Sequence, residues 1–209
     1  MSGYKLHYFP FHGRAEPIRM MFAHKGMELE NIVMSPADWK KPESKASVVG
    51  GALPNLICPD GEVLGHSTTA IMRMLGTEFG YYPTDPIAAY NCDFLLDLIH
   101  DFYNYDNYGK PYLSGDKRCA PKLIAAWNKY LGFMEEFVTN GKKWLCGSEI
   151  TIADFFVGKF YCDMFTNPAY PLAPEMAKLM KKWPHFAAYG ERYKTEMSSY
   201  LATRESRPI

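Results

Sequence analysis

Between Gly76 and Pro86 the hydrophobic pattern of this chain changes period, and that change restricts the folds open to it. Upstream, short strand-like runs interleave with runs at helical spacing. The pattern predicts strands over 4–9, 29–33, 54–58 and 62–65, helices over 16–25 and 67–76, and a polar loop reaching to about residue 50. This is α/β grammar. The turn residues Pro59-Asp60-Gly61 separate the last two strands and make them antiparallel neighbours, so the sheet is mixed. Downstream, helices are predicted over 90–104, 116–139, 151–166, 173–181 and 185–195. The stretch between, with Gly80, Pro83 and Pro86, suits no continuous element and reads as a linker. The expectation is an α/β domain over 1–77, a linker over 78–87 and an all-α domain over 88–209.

A length of 209 residues allows one large or two small domains with buried cores. Lysine plus arginine equals aspartate plus glutamate, 23 each, which gives no reason to expect nucleic acid or an anionic membrane as partner. No apolar run approaches the roughly 20 residues of a membrane span, and no basic segment precedes an apolar signal core, so a cytoplasmic location is the default. Cys58, Cys92, Cys119, Cys146 and Cys162 are scattered, odd in number and form no C-x-x-C pair. A disulfide scaffold and a thiol-disulfide centre are both disfavoured.

In the helical half, the segment Gly147-Ser148-Glu149-Ile150-Thr151-Ile152-Ala153-Asp154-Phe155 carries a capping signal. Thr151 can accept from the N–H of Asp154, and the Asp154 carboxylate can reach back to the N–H of Thr151. That role is structural. Asp93, Asp97, His100 and Asp101 share one side of the 90–104 helix, opposite Cys92, Leu95, Leu98, Ile99 and Phe102. An oxygen-rich face suits Mg²⁺ or Ca²⁺, but a solvated helix face is the commoner meaning of such charges, and the pattern does not amount to a metal site.

Chemistry concentrates in the first half. Tyr8 falls at the carboxyl end of the first strand, just before Pro10 and Gly13 bend the chain and Pro17 opens a helix. Open α/β sheets usually bind ligands at that end, and a phenol there can donate a hydrogen bond to an anion. The plainer alternative is that Tyr8 is one of 15 tyrosines and fills core. Leu53-Pro54 opens another strand with a residue that cannot donate to a ladder. Only about 5–6% of X–Pro bonds in folded proteins are cis, so sequence alone does not require that isomer here. Gly65-His66-Ser67-Thr68 ends a strand and begins a helix, with Ser67 at the cap. Its N–H groups could hold a ligand carboxylate, or Ser67 could simply cap.

Taken in order, Tyr8 with Gly13-Arg14-Ala15-Glu16, Leu53-Pro54, His66-Ser67 before a helix, the linker, and Thr151-Ile152-Ala153-Asp154 in a helical half resemble a cytosolic glutathione transferase over nearly the whole chain. The Tyr-Phe pair, Gly13-Arg14-Ala15-Glu16 and Ala37-Asp38-Trp39 look most like its sigma, or prostaglandin D synthase-like, class. The resemblance implies a thioredoxin-like N-terminal domain that binds glutathione, an all-α C-terminal domain that supplies an electrophile pocket, a cis Leu53–Pro54 bond, and a homodimer with active sites at its interface. Glutathione would be a co-substrate, with no cofactor besides.

Carried over residue by residue, Tyr8 donates to the glutathione sulfur and Arg14 supports it electrostatically. Leu53, beside Pro54, pairs its backbone with the cysteinyl part, while His66 and Ser67 hold the γ-glutamyl carboxylate. Trp39 offers its indole N–H to the glycine carboxylate, and Lys45 matches the family lysine once two residues are inserted after Trp39. Asp101 of a second subunit pairs with the γ-glutamyl amine. Phe9, Phe11, Tyr103, Asn104, Tyr105 and Tyr108 are expected to line the electrophile pocket. Two departures stand out: His66 replaces the usual glutamine, and Ala52 stands where many relatives carry lysine or glutamine. A glutathione isomerase or peroxidase, and a non-enzymatic ligand-binding or structural relative, are the alternatives.

Overall fold

The computed structural model describes residues 3–104, 118, 120–139 and 141–208. The chain divides into two compact units: one holds the described residues up to Phe79 and those from Ser199 onward, the other spans Gly80–Ser198.

The first unit is the expected α/β domain, with a thioredoxin-like arrangement. Strand β1 (Lys5–Tyr8) leads through a short helical turn at Gly13–Ala15 into α1 (Glu16–Lys25), then β2 (Glu30–Val33). A short helix α2 (Pro42–Ala46) interrupts the predicted loop before β3 (Asn55–Ile57), β4 (Val63–Gly65) and α3 (Thr68–Phe79). The sheet order is β2-β1-β3-β4. The pair β1/β2 is parallel, whereas β1/β3 and β3/β4 are antiparallel, so the sheet is mixed as the hairpin residues require. In that hairpin, Asp60 Oδ1 accepts from the N–H of Glu62 at 3.0 Å. Leu6 and Tyr8 of β1 are buried while Lys5 and His7 between them are not, which is the alternation of a strand with one covered face. Ile18, Met21 and Phe22 of α1 and Ile71, Met72 and Leu75 of α3 are buried. Phe22 meets Phe79 edge to face at 5.1 Å.

The second unit is all-helical: α4 (Pro86–Asn104), α5 (Ala120–Val138), α6 (Ile152–Phe160), α7 (Ala173–Met180) and α8 (Pro184–Glu196). The single helix predicted over 151–166 is α-helical only to Phe160 and continues as a wider π turn at Tyr161–Phe165. Every residue from Ile152 to Phe165 is buried, so this segment is the core around which the others pack. Trp127 lies 4.1 Å from Phe102, 5.1 Å from Phe160 and 4.9 Å from Phe165, measured between ring centroids. Two glycines allow α6 and its π turn to approach α8. A Cβ on Gly158 would sit 2.4 Å from the Tyr193 ring, and one on Gly190 would sit 2.2 Å from the Tyr161 ring.

One expectation is corrected. The helical domain was expected to run to residue 209, but a last helix, α9 (Ser198–Thr203), enters a segment that belongs to the first unit. The physical reason is the buried Glu16 carboxylate, which accepts from the Tyr200 hydroxyl at 3.0 Å and from Arg204 Nη1 at 2.9 Å. Polar residues on a short terminal helix give no periodic signal that could announce such a tie.

The capping box at α6 is present. Asp154 is fully buried, and its carboxylate accepts from the N–H of Thr151 at 2.8 Å, the Thr151 hydroxyl at 2.9 Å, the N–H of Leu145 at 3.0 Å and the Tyr189 hydroxyl at 3.2 Å. Burial pushes this carboxyl up to about 6 against the pull of those donors. Replacing Asp154 by Ala orphans two buried N–H groups at once, so it should destabilise the fold by roughly 2–4 kcal/mol, read as a lowered urea midpoint. A shift below about 0.5 kcal/mol would reduce the box to a surface cap.

Candidate active site

The sheet register gathers the candidate residues of the first unit at one end. Tyr8 is the last residue of β1 and pairs with Val33 of β2. His7 pairs with Asn55 at the start of β3, which puts Leu53-Pro54 just beyond that end of the sheet. Asn55 in turn pairs with Gly65, the last residue of β4, so His66 and Ser67 leave the sheet at the same end. Tyr8, Leu53-Pro54 and His66-Ser67 therefore share the rim where open α/β sheets bind ligands.

Tyr8 is held by the turn that follows it. The N–H of Arg14 donates to Tyr8 Oη at 3.1 Å. Gly13, between strand and helix, has φ +45°, and a Cβ there would lie 2.7 Å from Tyr8 Oη. Only glycine satisfies both the left-handed backbone and the close approach. A phenol oxygen that accepts from a backbone N–H keeps its own O–H as a donor. The plainer reading, a core tyrosine with its hydroxyl satisfied, fits the low exposure of the residue, 8%, and the Arg14 bond alike; what favours a site is the place of Tyr8 at the ligand-binding end of the sheet.

Beside Tyr8, the Phe9 ring lies edge-on to it at 5.4 Å and edge-on to Trp39 at 5.4 Å. Trp39 sits half-buried in the helical turn Asp38–Lys40, with Lys45 Nζ 6.0 Å from its ring centroid. The tryptophan and lysine suggested by the resemblance are thus neighbours, despite the irregular spacing in sequence.

The Leu53–Pro54 peptide is cis. Both residues are buried. Their loop is tied by Asn55, a residue that the sequence pattern did not single out. Asn55 Oδ1 accepts from the N–H of Val49 at 2.8 Å, and Asn55 Nδ2 donates to the carbonyls of Ala52 at 2.8 Å and Pro54 at 3.0 Å. A signal was available, because asparagine is depleted in strands and is at home bonding nearby backbone. His66 has φ +42°, the one positive φ outside glycine among the described residues. A Cβ on Gly50 would fall 2.9 Å from its ring. Ser67 Oγ accepts from the N–H of Ala70 at 3.3 Å, so Ser67 caps α3 whatever else it does.

The remaining candidates lie elsewhere. Asp101 is exposed on α4 of the second unit. On the acidic face of the same helix, Asp93 accepts from the Tyr82 hydroxyl at 2.8 Å. No group of three or more His, Cys, Asp or Glu side chains among the described residues could hold a metal ion. Of the expected electrophile-pocket residues, Phe9 and Phe11 are half-buried in the first unit, while Tyr103 is buried in the second, its hydroxyl 3.3 Å from Lys159 Nζ. Asn104 ends α4, and Tyr105 and Tyr108 lie outside the described residues.

Residues 96–204 match the family described as glutathione S-transferase, C-terminal domain. The chain is 31% identical over 200 residues to the hematopoietic prostaglandin D synthase of Gallus gallus, covering 92% of this chain and 90% of that one. It belongs to the glutathione S-transferase family. It is 28% identical over 219 residues to glutathione S-transferase P 1 of Xenopus laevis, covering 100% of this chain and 97% of that protein. Among solved structures, the glutathione S-transferase of Ascaris lumbricoides superposes with a TM-score of 0.82 at 26% identity, covering 99% of each chain. The chain is an enzyme of this transferase family, and its two units carry the family fold.

Gly13→Ala should drive the phenol from its place while leaving most of the fold intact. We expect glutathione-conjugating turnover to fall about 10-fold or more, which corresponds to about 1.4 kcal/mol, with far-ultraviolet circular dichroism unchanged. Normal turnover in this variant would show that the Arg14–Tyr8 contact does not matter to the chemistry.

Proposed function

We propose that this chain is a glutathione transferase in which Tyr8 holds the glutathione thiol as thiolate for attack on a hydrophobic electrophile. The observation that carries this reading is the Arg14 N–H bonded to Tyr8 Oη at the sheet end shared by cis Leu53–Pro54 and Ser67. A free thiol has a pKa of about 8.5, so only a few per cent is ionised near neutral pH. A phenol O–H aimed at sulfur stabilises the anion more than the thiol, because charge-assisted hydrogen bonds are about twice as strong as neutral ones. Each pKa unit gained corresponds to about 1.36 kcal/mol of such preference. The charge of Arg14 would add to it.

In this reading the backbone of Leu53 pairs with the cysteinyl part of glutathione. His66, Ser67 and the first N–H groups of α3 take the γ-glutamyl carboxylate. Trp39 and Lys45 take the glycine carboxylate, their proximity in the structure being the support for the pair. The enzyme is of the sigma-like class, supported by the likeness to prostaglandin D synthase, and uses no cofactor beyond glutathione as co-substrate. We place it in the cytoplasm, in keeping with Cys58, Cys92, Cys146 and Cys162, which are thiols and not disulfides. No helix among the described residues is long and apolar enough to cross a membrane.

It works as a homodimer to which the partner contributes its own copy of Asp101, which meets the γ-glutamyl amine. Support for the dimer comes from exposed apolar surface on the second unit. Ile87 and Tyr90 are 69% and 65% exposed, and Phe94 stacks against both Tyr90 and Phe137. Exposed apolar and aromatic side chains gathered on one helix suit a contact face. The prostaglandin D synthase relative favours one second reading, a glutathione-dependent isomerase with its own preferred substrate. Such an enzyme would turn over general electrophiles weakly.

Tyr8→Phe should lower turnover at least 10-fold, the equivalent of one charge-assisted hydrogen bond of about 1.5–3 kcal/mol, while glutathione affinity stays within a few fold. Full activity in that variant would remove Tyr8 from the mechanism. Ser67→Ala should do the reverse, raising KM for glutathione more than it lowers turnover, because its contact is to a part of the substrate that does not react. Melting temperature must be followed in parallel. A destabilised protein with normal affinity would leave Ser67 a helix cap and nothing more.

A further inference from the structure

We propose that Glu16, with Tyr200 and Arg204 of the C-terminal segment, clamps the turn that holds Tyr8, so that the segment after Ser198 sets how strongly the enzyme activates its thiol. The inference rests on the reading of Tyr8 given above and adds positioning residues to it.

Glu16 is fully buried two residues beyond Arg14. Four groups converge on its carboxylate: His12 Nδ1 at 2.9 Å, Arg19 Nη1 at 3.1 Å, Arg204 Nη1 at 2.9 Å and the Tyr200 hydroxyl at 3.0 Å. Burial opposes its charge, but the hydrogen bond from His12 and the charges of His12, Arg19 and Arg204 outweigh burial and hold the carboxyl well below the usual range. It is a carboxylate at any working pH.

Two of its partners reach the Tyr8 turn directly. Arg19 Nη1 also donates to the carbonyls of Phe11 at 3.1 Å and His12 at 3.3 Å, and its guanidinium lies 5.9 Å from the centroid of the Tyr8 ring. His12 has its N–H bonded to the carbonyl of Pro208 at 2.7 Å. The C-terminal segment therefore grips the turn twice, once through Glu16 and once through the backbone of His12. The next two residues of that turn are Gly13 and Arg14, which set the place of Tyr8 Oη.

His12, Glu16, Arg19, Tyr200 and Arg204 border a cavity of about 210 Å³ that Phe22, Met27 and Leu29 also line, so a side chain released from the cluster has room to move. Removing one of the donors leaves a buried carboxylate underpaired, and the turn must shift or admit water. The predicted consequence is a looser Arg14–Tyr8 contact and a thiolate held less well, while the carboxylate anchors at Ser67 and Trp39 remain.

The test is the pH profile of kcat/KM for glutathione with 1-chloro-2,4-dinitrobenzene, run on wild type, Arg204→Met, Arg204→Lys and Tyr200→Phe. Affinity for S-methylglutathione, which has no thiol to ionise, is measured alongside. We expect Arg204→Met to move the acid limb up by at least half a pH unit and to lower kcat about 3-fold or more, with S-methylglutathione affinity within 2-fold. Arg204→Lys should recover most of the loss. Should Arg204→Met not fold, Tyr200→Phe, which removes a single hydroxyl, carries the same expectation at smaller size. A low acid limb in wild type that the folded variants leave in place overturns the clamp alone. A wild-type limb at the free-thiol value of about 8.5 overturns the Tyr8 reading and the clamp with it.

Discussion

A phenol can favour a thiolate over a thiol only if its oxygen is held where the sulfur will be, and in the reading proposed for this chain the hold on Tyr8 is a backbone hydrogen bond. The Arg14 N–H that meets Tyr8 Oη comes from the turn between β1 and α1, and a set of buried polar contacts in the first unit bears on that turn. Gly13 gives it room, and Arg19 takes its carbonyls from behind. Glu16 anchors Arg19 in turn and recruits the C-terminal segment. A backbone donor suits this task, since a short turn in a fixed frame loses little freedom when the substrate arrives, unlike a long side chain.

The second unit is built on a different physical solution. Its middle helix is buried on all sides, and the cost of starting a helix inside a core is met by one carboxylate, Asp154, serving two backbone N–H groups and two hydroxyls. Glu16 and Asp154 are thus the same device used twice: a buried acid whose charge is tolerable because donors surround it. They differ in balance. Around Glu16 two of the donors are arginines and the carboxyl is held low, whereas around Asp154 they are neutral and burial pushes it up to about 6.

Much of this was legible in the sequence because it is local. The switch from strands to helices, the hairpin residues Pro59-Asp60-Gly61 and the Thr151–Asp154 box each depend on a few neighbouring residues; the hairpin and the box appear in the structure as read, while α3 runs on to Phe79 and α4 begins already at Pro86, inside the stretch read as linker. Tyr8 could be placed at a strand end because Pro10, Gly13 and Pro17 leave few other choices. What escaped is non-local or irregular. Nothing near Tyr200 or Arg204 says that they will meet a carboxylate some 184 or 188 residues earlier in the chain. Asn55 escaped because its side chain serves the preceding loop rather than its own strand, and the helix at Pro42–Ala46 because five polar-rich residues show no period. The π turn after Phe160 has the same apolar composition as the α-helix before it, so no pattern separates them.

The central claim is that Tyr8 lowers the pKa of bound glutathione, and the direct measurement is the ultraviolet absorbance of the bound thiolate, titrated across pH in wild type and in Tyr8→Phe. The account predicts a wild-type midpoint at least one unit below the free-thiol value of about 8.5, and a midpoint close to that value once the hydroxyl is gone. Equal midpoints in the two proteins would contradict it.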